Sequence, residues 1–198
     1  MAPNRDPGRT KVAILEAAEK LITEKGFRAL TLDEVAVGAG ISKGGLLHHF
    51  SSKQTLILGL AEHMIALADQ EIQQNVEQDP ATPGAFTRAY LRANLACDDD
   101  CTQVCATLTA ESRNIPGMLE LFQSYSAHCQ QQLENDGLDP AIASIVRYAA
   151  EGLRSASKSG ISRPSNYDQI VSHLLALAGA RRSPRTTTNL SHGKPVRN

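Results

Sequence analysis

The stretch of residues 31–50 constrains the fold more than any other part of the chain, and its sequence is TLDEVAVGAGISKGGLLHHF. Thr31 followed by Glu34 is typical of a helix N-terminus, where the hydroxyl and the carboxylate each bind a free backbone N–H. Gly40 is expected to end this helix at positive φ, which glycine adopts without a Cβ clash. Ser42 can then cap a second helix, so the stretch predicts two short helices joined by a compact turn.

The second of these helices, residues 43–50, has the character of a DNA-binding element. Gly44 and Gly45 leave its first turn with almost no side-chain bulk, so the backbone N–H groups can approach a phosphate or a base edge closely. A helical hairpin in a structural bundle would carry similar caps, and that alternative stays open. The glycines at 38, 40 and 44 also resemble a nucleotide-binding loop, but such a loop follows a buried strand, whereas residues 31–37 have helical spacing.

The charge of the chain is unevenly distributed. Of its 198 residues, 41% are hydrophobic, which is ordinary for a globular protein. The formal net charge of −1 combines +2 in residues 1–60, −8 in 61–178 and +5 in 179–198. This pattern suits a protein whose terminal region contacts nucleic acid while an acidic body has another role. Because there is no long apolar run and no apolar signal core, we expect a soluble, cytoplasmic protein.

Apolar residues recur at helical spacing along the whole chain, and no strand signal of any length is present. Ser51, followed three residues later by Gln54, is expected to cap a long helix that extends to about residue 78. The sequence therefore predicts an all-α protein with about nine helices. Three of them form an N-terminal module, and the long fourth helix connects this module to the remainder of the chain.

The spacing of the cysteines is the most unusual chemical feature of the sequence. Cys97, Cys101 and Cys105 are spaced by four residues and would share a face on an unbroken helix. They are either a thiol or soft-metal sensor or small buried hydrophobes, and the acidic run at 98–100 favours the second interpretation because it interrupts the helix. No disulfide framework, metal cage or catalytic motif such as G-x-S-x-G or H-E-x-x-H is present, so we predict no catalytic residue, metal site or cofactor.

An apolar stripe with small neighbours runs along residues 140–156. Small side chains allow another helix to approach closely, and a second copy of the protein would provide one. The last helix, residues 166–178, adds a leucine-rich surface. The predicted dimer interface consists of Ile142, Ile145, Val146, Ala149, Leu153, Ile170, Leu174 and Leu177.

The three-helix module, the long helix that starts at a Ser-Lys pair and the all-helical body together resemble the TetR family of transcriptional regulators. The stretch TLDEVAVGAGISKGGLLHHFSSKQTL carries most of the resemblance, and residues 140–178 are similar to the last two helices of some members. The resemblance implies a homodimer that binds a palindromic operator in double-stranded DNA, usually as a repressor, and releases it when a small-molecule effector binds. It implies neither enzymatic activity nor a membrane partner.

Composition at the two ends, together with the resemblance, predicts how the chain is divided. We expect a flexible basic arm in residues 1–9 and a helix-turn-helix DNA-binding domain in 10–51. A helical effector-binding and dimerisation domain should occupy 52–179, followed by a disordered basic tail in 180–198.

Carried over position by position, the resemblance implies a set of DNA contacts. Thr31 and Lys53 would mainly hold phosphates, while Lys43 and Gly45 lie where base edges are recognised. Members commonly have Thr at position 45 and Tyr at position 47, so Gly45 and Leu47 remove a hydroxyl contact, and the histidines are expected to contribute more. The implied DNA-binding residues are Thr31, Ser42, Lys43, Gly44, Gly45, His48, His49 and Lys53.

The resemblance places the effector pocket among the middle helices. The expected ligand-binding residues are Phe86, Tyr90, Asn94, Leu108, Glu111, Phe122 and Tyr125. Two alternatives remain for the chain as a whole. One is a thiol- or metal-responsive regulator that uses Cys97, Cys101 and Cys105, and the other is an all-α dimerising bundle that does not bind DNA.

Overall fold

The computed structural model describes residues 7–79, 83–96, 99–158 and 164–179 of the chain. These residues form nine α-helices and one short 3-10 helix, Phe27–Ala29, and they contain no strand. The all-α prediction is therefore confirmed. The helices are α1 (Pro7–Lys25), α2 (Leu32–Gly38), α3 (Lys43–His49), α4 (Lys53–Gln78), α5 (Ala85–Ala96), α6 (Asp99–Glu111), α7 (Met118–Glu134), α8 (Pro140–Lys158) and α9 (Tyr167–Gly179).

Helix α1 begins earlier than predicted. It starts at Pro7, inside the stretch expected to be a flexible arm, because proline suits the first helical turn, where no backbone N–H needs an intrahelical partner. The rest of the predicted arm, residues 1–6, and the predicted tail, 180–198, lie outside the described residues.

The cap of α4 is displaced by one residue from the predicted position. Ser52 is the N-cap, and its Oγ accepts a hydrogen bond from the Thr55 backbone N–H at 3.1 Å. In return, the Thr55 hydroxyl oxygen accepts one from the Ser52 N–H at 3.0 Å. The predicted pair, Ser51 and Gln54, is therefore wrong, although the long helix itself is confirmed.

One apolar core joins the N-terminal helices to the body. Ile14, Leu30 and Leu46 are buried in it together with Leu56 of α4 and Leu108 of α6. Gly59 lets α4 lie against the end of α3, since a Cβ at this position would be 2.5 Å from Cε1 of Phe50. The three-helix module is thus held to α4 and α6 by shared apolar packing as well as by the chain connection.

The body has two further apolar clusters. In the first, α4, α5, α7 and α8 meet around Ile72, Ala89, Cys129 and Leu133. In the second, α5, α8 and α9 meet around Leu91, Val146, Ala150, Leu174 and Ala178.

The second cluster corrects two residues of the predicted dimer interface. Val146 is fully buried and Leu174 is 5% exposed, because both side chains face the protomer's own core. The predicted stripe on α8 combined residues from two faces of the helix. Ile145 lies about 100° around the helix from Val146 and is 54% exposed, and Leu177 on α9 is also partly exposed.

A buried ion-pair cluster fastens the ends of three helices in the body. We call Asp79, Arg88 and Arg92 the Asp79 cluster. The Asp79 carboxylate, 2% exposed, follows α4 and accepts hydrogen bonds from both arginines of α5, at 2.9 Å from Arg88 Nε and 2.9 Å from Arg92 Nη1. Arg88 Nη1 also donates to the carbonyl of Ala178 in the last turn of α9, at 2.9 Å. Hydrogen bonds from Arg88 hold the pKa of Asp79 below its usual range.

Candidate functional site

The two-helix unit of α2 and α3 forms as its caps predict. The Thr31 hydroxyl oxygen accepts a hydrogen bond from the Glu34 N–H at 3.2 Å, and Ser42 Oγ accepts one from the Gly45 N–H at 3.1 Å. The Glu34 carboxylate pairs with Lys25 Nζ at 3.2 Å, so the reciprocal half of the predicted capping box is not formed. The cap of α2 therefore consists of one hydrogen bond, from the Glu34 N–H to Thr31, and the cap of α3 forms as predicted.

The turn between the two helices is a left-handed glycine turn. Gly40 has φ of 64°, as predicted, and its N–H donates to the carbonyl of Val37 at 3.1 Å. The Ile41 N–H reaches back to the carbonyl of Ala36 at 3.0 Å. These two bonds pair the free carbonyls at the end of α2 and fix the direction in which α3 leaves the turn.

One face of α3 packs into the apolar core, and the other face is exposed to solvent. Leu46 is fully buried, whereas Lys43, Gly44 and His48 are exposed and His49 is half-buried. Lys43 Nζ forms an ion pair with Asp33 Oδ2 on α2 at 2.9 Å. In this first turn, the backbone at Gly44 is therefore exposed. Lys43, the one long side chain of the turn, is paired with a residue of α2.

Two lysines lie over aromatic rings beside this unit. Lys53 Nζ lies 5.2 Å from the centre of the Phe27 ring, and Lys11 Nζ lies 5.8 Å from the centre of the Phe50 ring. Such contacts restrict a flexible ammonium group to one region of the surface. Lys53 was expected to contribute to DNA binding. Lys11 was not, because its neighbour Phe50 is distant in the sequence and nothing in the spacing indicates that the two meet.

A cleft of about 440 Å³ opens between α7 and α8. Of the residues predicted to bind ligand, Phe122 lines it, beside Ser126, Gln130, Arg147 and Tyr148. Arg147, which the sequence analysis missed, is 5% exposed. The sequence does contain a signal for this residue, because Arg147 follows Val146 in the apolar stripe of α8. A charged residue in an apolar stripe is buried only when it is paired.

Arg147 is the centre of a buried polar network. Its Nε donates to Glu151 Oε1 at 2.9 Å, and its Nη1 donates to the Ser126 carbonyl and to Gln130 Oε1, both at 3.0 Å. Glu151 also accepts a hydrogen bond from the Tyr90 hydroxyl at 2.6 Å. Burial and this bond raise the pKa of Tyr90, so its hydroxyl stays a donor. The network links α5, α7 and α8 beneath the cleft.

The other predicted ligand residues are divided between two regions. Phe86, Tyr90 and Tyr125 belong to the cluster around Ile72, and the Asn94 side-chain amide donates to the Tyr90 carbonyl at 2.9 Å. Leu108 lies apart from these residues, buried in the core that α6 shares with α1 and α4. Glu111, at the end of α6, accepts a hydrogen bond from the Asn114 side-chain amide at 2.9 Å.

The cysteines do not assemble into one site within the described residues. Asp99 and Asp100, two of the three acidic residues predicted to interrupt the helix, lie in the first turn of α6, and Cys97 lies outside the described residues. Cys101 and Cys105 are half-buried on α6 against the N-terminal core, and burial raises the pKa of the Cys129 thiol on α7. Over the described ranges, no group of three or more His, Cys, Asp or Glu side chains is arranged to hold a metal ion.

Comparison with known families identifies the architecture. A model described as bacterial regulatory proteins of the tetR family matches residues 14–60, and a model of the tetracyclin repressor-like C-terminal domain matches residues 84–179. The chain belongs to the TetR family. The family is one of bacterial regulatory proteins.

Individual relatives of this TetR-family chain match it over very different lengths. The regulator EthR of Mycolicibacterium smegmatis is 37% identical over 73 residues, which are 37% of this chain and 34% of EthR. The chain thus matches about a third of the length of that relative. The transcriptional activator FasR of the same organism is 27% identical over 178 residues, covering 87% of this chain and 67% of FasR.

Solved structures share the fold of this chain. A TetR transcription regulator from Haloarcula marismortui has a TM-score of 0.72 at 14% identity, covering 88% of this chain and 98% of the other. Within the part of the chain that the structure describes, no helix combines the length and apolarity needed to cross a membrane.

Proposed function

We propose that this TetR-family protein is a ligand-responsive regulator that binds palindromic operator DNA as a homodimer and represses transcription until a small-molecule effector releases it. The exposed first turn of α3, with Gly44 directed away from the buried Leu46, is the observation that carries the proposal. A helix with free N–H groups and no bulk in its first turn can enter a major groove closely. DNA contacts are assigned to Thr31, Ser42, Lys43, Gly44, Gly45, His48, His49 and Lys53.

The effector contacts are assigned to α5, α7 and α8. The cleft between α7 and α8 has an apolar wall at Phe122 and Tyr148 and a polar floor at Arg147 and Gln130, which is the combination that small-molecule sites use. The bond from Tyr90 to Glu151 joins α5 to α8, and the bond from Arg147 to Gln130 joins α8 to α7, so an effector that displaces one of these partners would shift the others.

A shared core supports communication between effector and DNA. Leu108 of α6 and Leu56 of α4 pack in the same cluster as Leu46 of α3. A displacement of α6 relative to α4 would therefore change the support beneath α3. Residues 10–51 form the proposed DNA-binding domain and residues 52–179 the proposed effector-binding and dimerisation domain. For the dimer, the residues that remain proposed are Ile142, Ile145, Ala149, Leu153, Ile170 and Leu177.

Replacing Lys53 by alanine tests the phosphate contact. The variant should bind all duplex sequences more weakly by a similar factor, because phosphate contacts carry no sequence information. The slope of log affinity against log salt should become shallower by about one unit. Fluorescence anisotropy with a labelled duplex over a salt series measures both effects. Lys20→Ala is a matched control on α1, where Lys20 lies 3.7 Å from Glu24. A slope unchanged by Lys53→Ala would remove this residue from the interface.

DNA affinity should increase several-fold as the pH falls from about 8 to about 6, because an imidazole beside phosphates binds them more tightly when it carries a positive charge. His48 is exposed at the end of α3, where it can meet the backbone. His48→Ala should flatten the pH profile, whereas His128→Ala on α7 should leave it intact. A flat profile for the wild-type protein, with no loss in His48→Ala, would contradict the assignment.

A further inference from the structure

The DNA-facing side of α3 has few side chains that can distinguish bases. Gly44 and Gly45 contribute none, and Lys43 is paired with Asp33 at 2.9 Å. Leu46 is buried. Within this helix, Leu47 and His48 are therefore the exposed side chains left to approach a base edge, and His49 is half-buried.

Leu47 is placed to reach the groove. It is 40% exposed, one helical turn after Lys43 and three residues after Gly44. Side chains on an α-helix lean toward its N-terminus, so Leu47 lies over the turn that contains the two glycines. A Cβ built on Gly44 would have Ser42 Oγ, at 4.0 Å, as its nearest neighbour. The space beside Leu47 is thus open for a base pair to enter.

The chemistry of Leu47 limits what it can recognise. An isobutyl group offers neither a hydrogen-bond donor nor an acceptor, and burying it against polar base edges brings no compensation. In the major groove, the C5-methyl group of thymine is the apolar feature that distinguishes one base pair from the others.

We propose that Leu47 contacts the C5-methyl group of a thymine in each operator half-site and thereby selects an A·T pair at that position. The inference rests on the proposed function, since it names a base-specific contact of the same DNA-binding helix. It assigns sequence selection at one position to an apolar contact, which salt should affect little.

Deoxyuridine substitution tests this contact directly, because deoxyuridine pairs as thymidine does and lacks only the methyl group. An operator is first selected from random-sequence duplexes, and each thymine in its half-sites is then replaced in turn. Wild-type protein should lose about threefold to fivefold in affinity at one position per half-site, as expected for one methyl group returned to water. Leu47→Ala should bind the original operator more weakly and should be insensitive to deoxyuridine at that position.

Val37→Ala is the control variant. Val37 is a comparably apolar residue on α2, is 78% exposed and lies outside α3. This variant should retain the full sensitivity to deoxyuridine. If the wild-type protein binds its operator but no deoxyuridine weakens the complex, or if Leu47→Ala remains as sensitive as wild type, the inference is overturned and the proposed function stands. If the folded protein selects no DNA, both are overturned.

Discussion

Replacing Asp79 by asparagine should lower the free energy of unfolding by about 3–5 kcal/mol. Asparagine has nearly the same shape, so the change removes the charge and leaves the packing. Arg88, whose side chain is 12% exposed, would then lack its anionic partner at the junction of α4, α5 and α9. Removing one partner of a buried ion pair is strongly destabilising, because the remaining charge loses its nearest counter-charge. Urea unfolding followed by circular dichroism measures the difference.

Arg92→Ala is the matched control for this prediction. Arg92 contacts the same carboxylate, but its side chain is 44% exposed, so its loss should change the stability by less than about 1 kcal/mol. An Asp79→Asn protein as stable as Arg92→Ala would show that the Asp79 cluster does not hold the three helices together.

The ion pair between Asp79 and Arg88 makes a pH-dependent contribution to stability. Because hydrogen bonds from Arg88 lower the pKa of Asp79 in the folded state, the contribution is fully present above the ordinary aspartate pKa of about 3.9. It is lost as the pH falls through the lower folded-state value. The stability difference between wild type and Asp79→Asn should therefore shrink as the solution is made strongly acidic.

Replacing Gly44 by glutamate should reduce DNA affinity by about 100-fold, since like charges brought together at an interface cost several kcal/mol. The new carboxylate would project from the exposed first turn of α3 toward the phosphates. The protein should remain folded, because Gly44 is exposed and a Cβ there meets Ser42 Oγ at an ordinary 4.0 Å. Anisotropy titration measures the affinity, and a thermal melt checks the fold.

Gly44→Lys separates charge from bulk in this experiment. Lysine is about as long as glutamate and carries the opposite charge, so it should lose far less affinity than the glutamate variant. Equal losses in both variants would indicate a steric effect, and no loss in either would place α3 outside the DNA interface.

Local signals in the sequence predicted the two-helix unit of α2 and α3 well. The caps at Thr31 and Ser42 and the left-handed turn at Gly40 each depend on residues within about one helical turn, so spacing alone specifies them. For α4, the same local signals located the N-cap only to within one residue. Ser51 and Ser52 are adjacent candidates for the cap of α4, and the reciprocal bonds with Thr55 select the second.

Contacts between distant residues could not be predicted in this way. The Asp136 carboxylate accepts a hydrogen bond from the Thr87 N–H at 2.7 Å and so caps α5 from the loop before α8. The network around Arg147 likewise joins three helices. The spacing of apolar residues on α8 indicated a stripe, but it could not indicate that Val146 faces α5 and α9 while Ile145 faces outward.

Selection of DNA from a random-sequence pool by the purified full-length protein at low salt is the most direct test of α2 and α3 as a DNA-binding unit. The protein should enrich an inverted repeat whose half-site centres lie about 10 base pairs, or a multiple of that, apart. Two protomers should bind each repeat, and the affinity should fall steeply with salt. If no sequence is enriched and the folded protein fails to retain duplex DNA even at low salt, α3 is not a DNA-binding helix.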